Sequence, residues 1–113
     1  MTLRNERVRK ALIKEIADVI QKDIKTAGLV SILDLEVSHD NSFAKVFYSV
    51  FGSEEQKQKT IETVEKNKSK IRYEIGKRVR LRLTPELRFI YDDSIERGSK
   101  VTDLINKISR GEL

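Results

Sequence analysis

The sequence predicts an α+β domain in which helices cover one face of a three-stranded sheet. Three observations lead there. Apolar residues recur at helical spacings near the start of the chain and again past its middle. They recur at every second position between those regions and once more after Pro85. Finally, 113 residues without cysteine make one ordinary domain, long enough to bury a core and held by no disulfide.

The first helix is predicted from about Asn5 to Thr26. Val8, Leu12, Ile16 and Val19 form its apolar stripe, widened by Ile13, Ile20 and Ile24, while Arg7, Lys10, Lys14 and Lys25 gather on the other side. Ala27-Gly28 is expected to end it, with Gly28 as the cap. Leu33, Leu35 and Val37 alternate with Asp34, Glu36 and Ser38, as in a half-buried strand. His39-Asp40-Asn41-Ser42 is turn chemistry, and Phe43 to Phe51 is rich in β-branched and aromatic residues, so the two strands read as a hairpin.

Gly52 breaks the second strand. Ser53 with Gln56 is a capping-box signature that opens a second helix to about Asn67, with Ile61 and Val64 inward. A third helix is predicted from about Ser69 to Leu81. Ile71, Ile75 and Val79 face its core side, and Lys70, Tyr73, Lys77 and Arg80 face away. Pro85 excludes further helix, and Leu87, Phe89 and Tyr91 alternate in a third strand. After Gly98, Val101, Leu104, Ile105 and Ile108 predict a C-terminal helix or tail over 95–113 that docks on the same single domain, 1–113. Leu12, Ile16, Leu35, Val46, Ile71, Ile75 and Phe89 are the expected core.

The charge is placed unevenly. The chain carries +5, but residues 1–14 alone carry +4 and residues 66–88 carry +7, which leaves the remainder at −6. Two basic segments on an acidic body suit an oriented polyanion. The order α-β-β-α-α-β, with two helices joined by a very short link and then an edge strand, also describes the KH module in its type II topology. The Gly-X-X-Gly loop of that module is absent; Asn67-Lys68-Ser69 stands at the junction.

The chain resembles the bacterial ribosome-binding factor A family along nearly its whole length. The match is carried by Arg7-Val8, Glu15-Ile16-Ala17, Val37-Ser38-His39-Asp40 and Ala44-Lys45-Val46. Its most specific block is Ile71-Arg72, Gly76-Lys77, Leu81-Arg82 and Pro85-Glu86-Leu87-Arg88-Phe89, ending in Tyr91-Asp92-Asp93-Ser94. The resemblance implies a KH-like fold with an Ala-X-Gly interhelical kink in place of the Gly-X-X-Gly loop. Here Asn67 stands for the Ala and Ser69 for the Gly. It also implies binding to the small (30S) ribosomal subunit and its 16S ribosomal RNA near the junction of the RNA's ends. The implied role is in late maturation and processing of the precursor 5′ end, with an assembly GTPase as a candidate co-occupant.

The candidate RNA-binding residues are Arg7, Lys10, Lys14, Lys66, Lys68, Lys70, Tyr73, Lys77, Arg78 and Arg80. Cations neutralise phosphate, and an aromatic ring stacks on an unpaired base. The competing reading of each is a solvated outer face. Arg78, Arg82 and Arg88 are more ambiguous, and Arg82 is also readable as a structural partner for Asp92 or Asp93. His39 lies in a turn and reads as solvated. Asp92-Asp93 reads as a strand end rather than a metal site, and Glu54-Glu55 as a favourable charge at a helix start. No nucleophile-base pair, phosphate loop or metal-ligand spacing is present, so no catalytic residue, metal or cofactor is expected. No run approaches the ~20 apolar residues of a membrane span. The resulting expectation is a cytoplasmic, monomeric, non-enzymatic RNA binder. The alternatives are a generic KH-type RNA or DNA binder and, further off, an RNA-acting enzyme.

Overall fold

The computed structural model describes residues 6–79 and 83–93. In chain order these form α1 (Glu6–Asp23), β1 (Leu29–Val37), β2 (Phe43–Phe51), α2 (Glu54–Arg78) and β3 (Glu86–Tyr91). The sheet runs β1-β2-β3. β1 and β2 pair antiparallel, and β2 and β3 pair parallel. A parallel return requires a long crossover, and α2 supplies it. Both helices pack on one face, so the sheet alternates inward and outward residues. Ala44, Val46, Tyr48 and Val50 on β2 point inward and are buried. Opposite them on β3 stand Leu87, Phe89 and Tyr91.

β1 departs from simple alternation. Val37 pairs with Ala44 and Leu35 with Val46, but Ile32 pairs with Tyr48 and Val30 with Val50, because the register shifts between Ile32 and Asp34. Leu33, expected on the inner face, is the extra residue of a β-bulge. The bulge lets odd positions after it and even positions before it reach the same core. Asp34, beside it, accepts a hydrogen bond from the Leu35 N–H at 2.8 Å.

Two other expectations are corrected. α1 ends at Asp23, five positions before Gly28, so Gly28 is not its cap. Gly28 is instead a close-approach position: a Cβ there would lie 2.6 Å from Val50 Cγ1. Its N–H donates to the buried Thr60 Oγ1 at 2.8 Å, and that hydroxyl donates to Gln56 O at 2.7 Å. The second correction concerns the two helices expected to meet at Asn67-Lys68-Ser69. One helix of 25 residues runs through that junction without a break. Neither Gly nor Pro interrupts it there, and Asn67 Nδ2 donates to Thr63 O at 2.8 Å along the helix. Serine at position 69 leaves helical geometry less readily than glycine would. The order is therefore α-β-β-α-β. The α+β, three-stranded, one-face architecture is as predicted.

The capping box at Ser53 and Gln56 is present in both directions. Of the expected core, Leu12, Ile16, Leu35, Val46, Ile71 and Ile75 are fully buried. Phe89 lies on the edge strand and is only partly buried against the cluster. Tyr48 meets Phe89 and Tyr91 edge to face, and burial pushes its hydroxyl up to about 12. The predicted segment 95–113 and residues Arg80, Leu81 and Arg82 lie outside the described residues.

The hairpin turn is organised by Asp40. Its carboxylate accepts from Ser42 Oγ at 2.7 Å, Ser38 Oγ at 2.9 Å and Ser42 N at 3.1 Å. Asn41 takes the left-handed backbone (φ 62°) that Asn tolerates. The hydrogen bonds from Ser42 and then Ser38 push the Asp40 carboxyl down to about 2.

Leu12→Ala and Ile75→Ala are each expected to cost about 2–5 kcal/mol, as cavity-forming changes in a tight core do, read from urea denaturation. A loss below about 0.5 kcal/mol, the size usual for an exposed site, would show that these positions are not core. The depressed Asp40 carboxyl stabilises the fold above its ordinary pKa, and that contribution is lost as pH falls toward about 2. Asp40→Asn should therefore be less stable than wild type at neutral pH, with the gap closing between about pH 4 and 2. A gap independent of pH would contradict this.

Candidate nucleic-acid interface

The outer surface of α2 carries the most ordered set of candidate residues. Lys66, Lys70, Tyr73 and Lys77 follow one another at spacings of four, three and four, so they form a single stripe. Thr60, Val64, Ile71 and Ile75 hold the other side of the helix in the core. Because one helix carries all four residues, the stripe is continuous and about 16 Å long at 1.5 Å per residue. Tyr73 is 66% exposed, and Lys77 Nζ lies 5.0 Å from its ring centroid. Lys77 also pairs loosely with Glu74 at 3.4 Å. Lys66 and Lys70 are exposed along the same line.

Other predicted contacts are placed differently. Lys68 faces away from the stripe and pairs with Glu65 at 2.7 Å. Arg78 turns toward α1, where Nη1 reaches Asp18 at 2.6 Å and Glu15 at 3.2 Å, and Nη2 reaches Asp23 at 3.9 Å. Three carboxylates surround this one guanidinium, and Lys22 adds a second cation on Asp18. Hydrogen bonds from Arg78 and then Lys22 hold the Asp18 carboxyl below the usual range, and the bonds to Asp18 and then Glu15 raise Arg78. The α1–α2 seam is thus a structural clasp that is net negative. On α1, Arg7, Lys10 and Lys14 are exposed along one stripe of their own. That stripe would fuse with the α2 stripe only across a basic seam.

Two arginines outside the predicted site have structural work. Arg9 donates to Glu6 at 3.0 and 2.7 Å and also pairs with Asp34, tying the start of α1 to the β1 bulge. Arg72 donates from Nη2 to Thr84 O at 2.7 Å and from Nε to Thr84 O and Pro85 O at 3.3 and 3.2 Å. It fastens the segment entering β3 to α2. Its one signal in the sequence is its place in the Ile71-Arg72 block. Arg88 lies on the opposite, open face of the sheet, with its guanidinium 3.6 Å from the centre of the Phe43 ring. His39 is exposed in the hairpin turn. Among the described residues, no three His, Cys, Asp or Glu side chains gather as metal ligands, and no helix is long and apolar enough to cross a membrane.

Two helices on one face of a three-stranded mixed sheet define an α+β domain of the KH-like class. Residues 4–105 match the family model of ribosome-binding factor A. The ribosome-binding factor A of Desulforamulus reducens is 42% identical over 114 residues, covering 99% of this chain and 95% of that protein. The crystal structure of the Thermus thermophilus factor superposes with a TM-score of 0.63 at 23% identity, covering 75% of this chain and 92% of that one. A homology model of the Thermus thermophilus factor, fitted into the cryo-EM map of a complex of 30S with ribosome-binding factor A, gives a TM-score of 0.63 at 22% identity, covering 75% and 91%. The chain belongs to the ribosome-binding factor A family.

Removing the clasp should separate structure from binding. Arg78→Ala is expected to lower the thermal midpoint, by an amount that shrinks as salt is raised, because these part-exposed pairs are screened. Asp18, followed by NMR titration, should move back up toward the ordinary carboxylate range. An unchanged Asp18 titration would place Arg78 elsewhere.

Proposed function

We propose that the chain binds the small (30S) ribosomal subunit through its 16S ribosomal RNA. It acts late in maturation, supports processing of the precursor 5′ end, and catalyses no reaction of its own. The observation that carries this reading is the continuous Lys66, Lys70, Tyr73 and Lys77 stripe, displayed by a member of the ribosome-binding factor A family. Three cations along α2 can neutralise consecutive phosphates, and such neutralisation releases counterions and drives association. The Thermus thermophilus relative in complex with a 30S subunit supports the same partner. The proposal includes a cytoplasmic monomer that needs no cofactor and shares its site with an assembly GTPase. It also includes a requirement that is greatest in the cold, where RNA rearrangements with high barriers slow most. Arg7, Lys10 and Lys14 form a second, smaller contact. Arg80, a further candidate contact, lies outside the described residues.

A generic KH-type binder would have the same cations but no preference for an assembled subunit. The test is a titration of purified 30S subunits and of short oligonucleotides at several salt concentrations. Wild type should prefer the subunit. The triple variant Lys66→Glu, Lys70→Glu and Lys77→Glu should keep its circular-dichroism spectrum, since exposed positions shift stability little. Its subunit affinity should almost vanish at physiological salt, with the salt slope reduced by ~0.7–0.9 for each phosphate no longer neutralised. Wild-type binding by the triple variant would move the contact to the α1 side. Equal binding to any oligonucleotide would favour the generic reading.

A further inference from the structure

Beside the stripe lies a groove of about 520 Å³, between the second half of α2 and the segment that enters β3. Its size falls within the ~300–1,000 Å³ typical of small-ligand sites. Gly76 leaves bare helix backbone in its lining, and a Cβ there would stand 3.0 Å from Thr84 Oγ1, so glycine also lets the entering segment come close. Tyr73 and Leu83 line it and are two of the most exposed large apolar side chains, at 66% and 77%. Arg72 anchors the Leu83 side to the helix through the Thr84 and Pro85 carbonyls. Lys77 sits against the Tyr73 ring at 5.0 Å and supplies a cation at the rim.

We infer that this groove seats one unpaired RNA nucleotide, with Tyr73 stacked on the base, Leu83 packed against it and Lys77 holding an adjacent phosphate. The inference rests on the RNA-binding function proposed above and names its substrate class. The faces of a paired base are hidden in the stack, so an exposed ring selects single-stranded RNA over duplex. Every base has a π-face, so the site does not choose among bases. The groove continues directly from the stripe, because Tyr73 and Lys77 belong to both. Phosphates along Lys66 and Lys70 would lead the strand to it.

The test uses the full chain with Tyr73→Ala, Tyr73→Phe and Leu83→Ala, all at exposed positions. Two probes are titrated: purified 30S subunits, and an unstructured RNA oligonucleotide carrying one 2-aminopurine, with a hairpin of equal length as the paired control. Wild type should bind the unpaired strand more tightly than the hairpin and quench 2-aminopurine fluorescence by stacking. Tyr73→Ala should weaken binding about 5- to 150-fold, the range expected for one stacked base, abolish the quenching and leave the salt slope unchanged. Tyr73→Phe should keep both, because the ring and not the hydroxyl does the stacking. Leu83→Ala should weaken binding and quenching to a lesser degree. If wild type binds subunits and both alanine variants match it on every probe, the groove assignment is wrong while the ribosomal reading stands. If wild type does not bind subunits, the ribosomal reading fails, and the oligonucleotide arm decides the groove by itself.

Discussion

The inner face of β2 is the constraint to which every other element is referred. Ala44, Val46, Tyr48 and Val50 are buried between two neighbouring strands and beneath the helices, so nothing on that face can shift by one residue without turning a core side chain to water. β1 meets the constraint only by inserting Leu33 as a bulge. β3 meets it with Leu87, Phe89 and Tyr91 at matching register. At the far end of the sheet the approach is so close that position 28 has room only for glycine, whose N–H is satisfied by the buried Thr60 hydroxyl.

The division of labour among the charges follows from this packing. Arg9, Arg72 and Arg78 each join two elements, and each does so with a fork of donors that one ammonium could not replace. The lysines of the α2 stripe sit outside those joints. Structural cations are thus mostly arginines at seams, while the cations left to meet an outside anion are lysines on an open helix. A charge census along the chain merges the two populations.

Periodicity is enough to read α1, β2, the capping box, β3 and the buried core, because each depends on a local pattern that burial merely confirms. The misreadings have a common origin in partners distant along the chain. Leu33 continues a correct alternation and is displaced only because β2 demands a phase change. Gly28 has the composition of a helix cap, yet its role is set by Val50 and Thr60. Arg78 lies in the most basic segment, and no local pattern shows that it also pairs with carboxylates some sixty positions earlier. The two helices expected to meet at Asn67 and Ser69 are one helix. The local sequence, without glycine or proline there, favours the unbroken helix that is present. Leu83 is illegible as a site residue because a lone leucine after a helix carries no signal until Gly76 and Tyr73 are brought beside it.

The parallel pairing of β3 with β2 has a consequence for the order in which the molecule is completed. The hairpin of β1 and β2 closes over a few residues and can form as soon as Phe51 is available. β3 must wait for the whole of α2 and pairs with residues some 43 positions earlier, as in Ala44 with Leu87. Such distant closures are slow and come late. Thr84 and Pro85, whose carbonyls Arg72 grips, stand immediately before β3. During synthesis, the first half of the chain can therefore be structured while the groove between α2 and β3 does not yet exist. A nascent or truncated chain lacking β3 would display the lysines but not the completed groove.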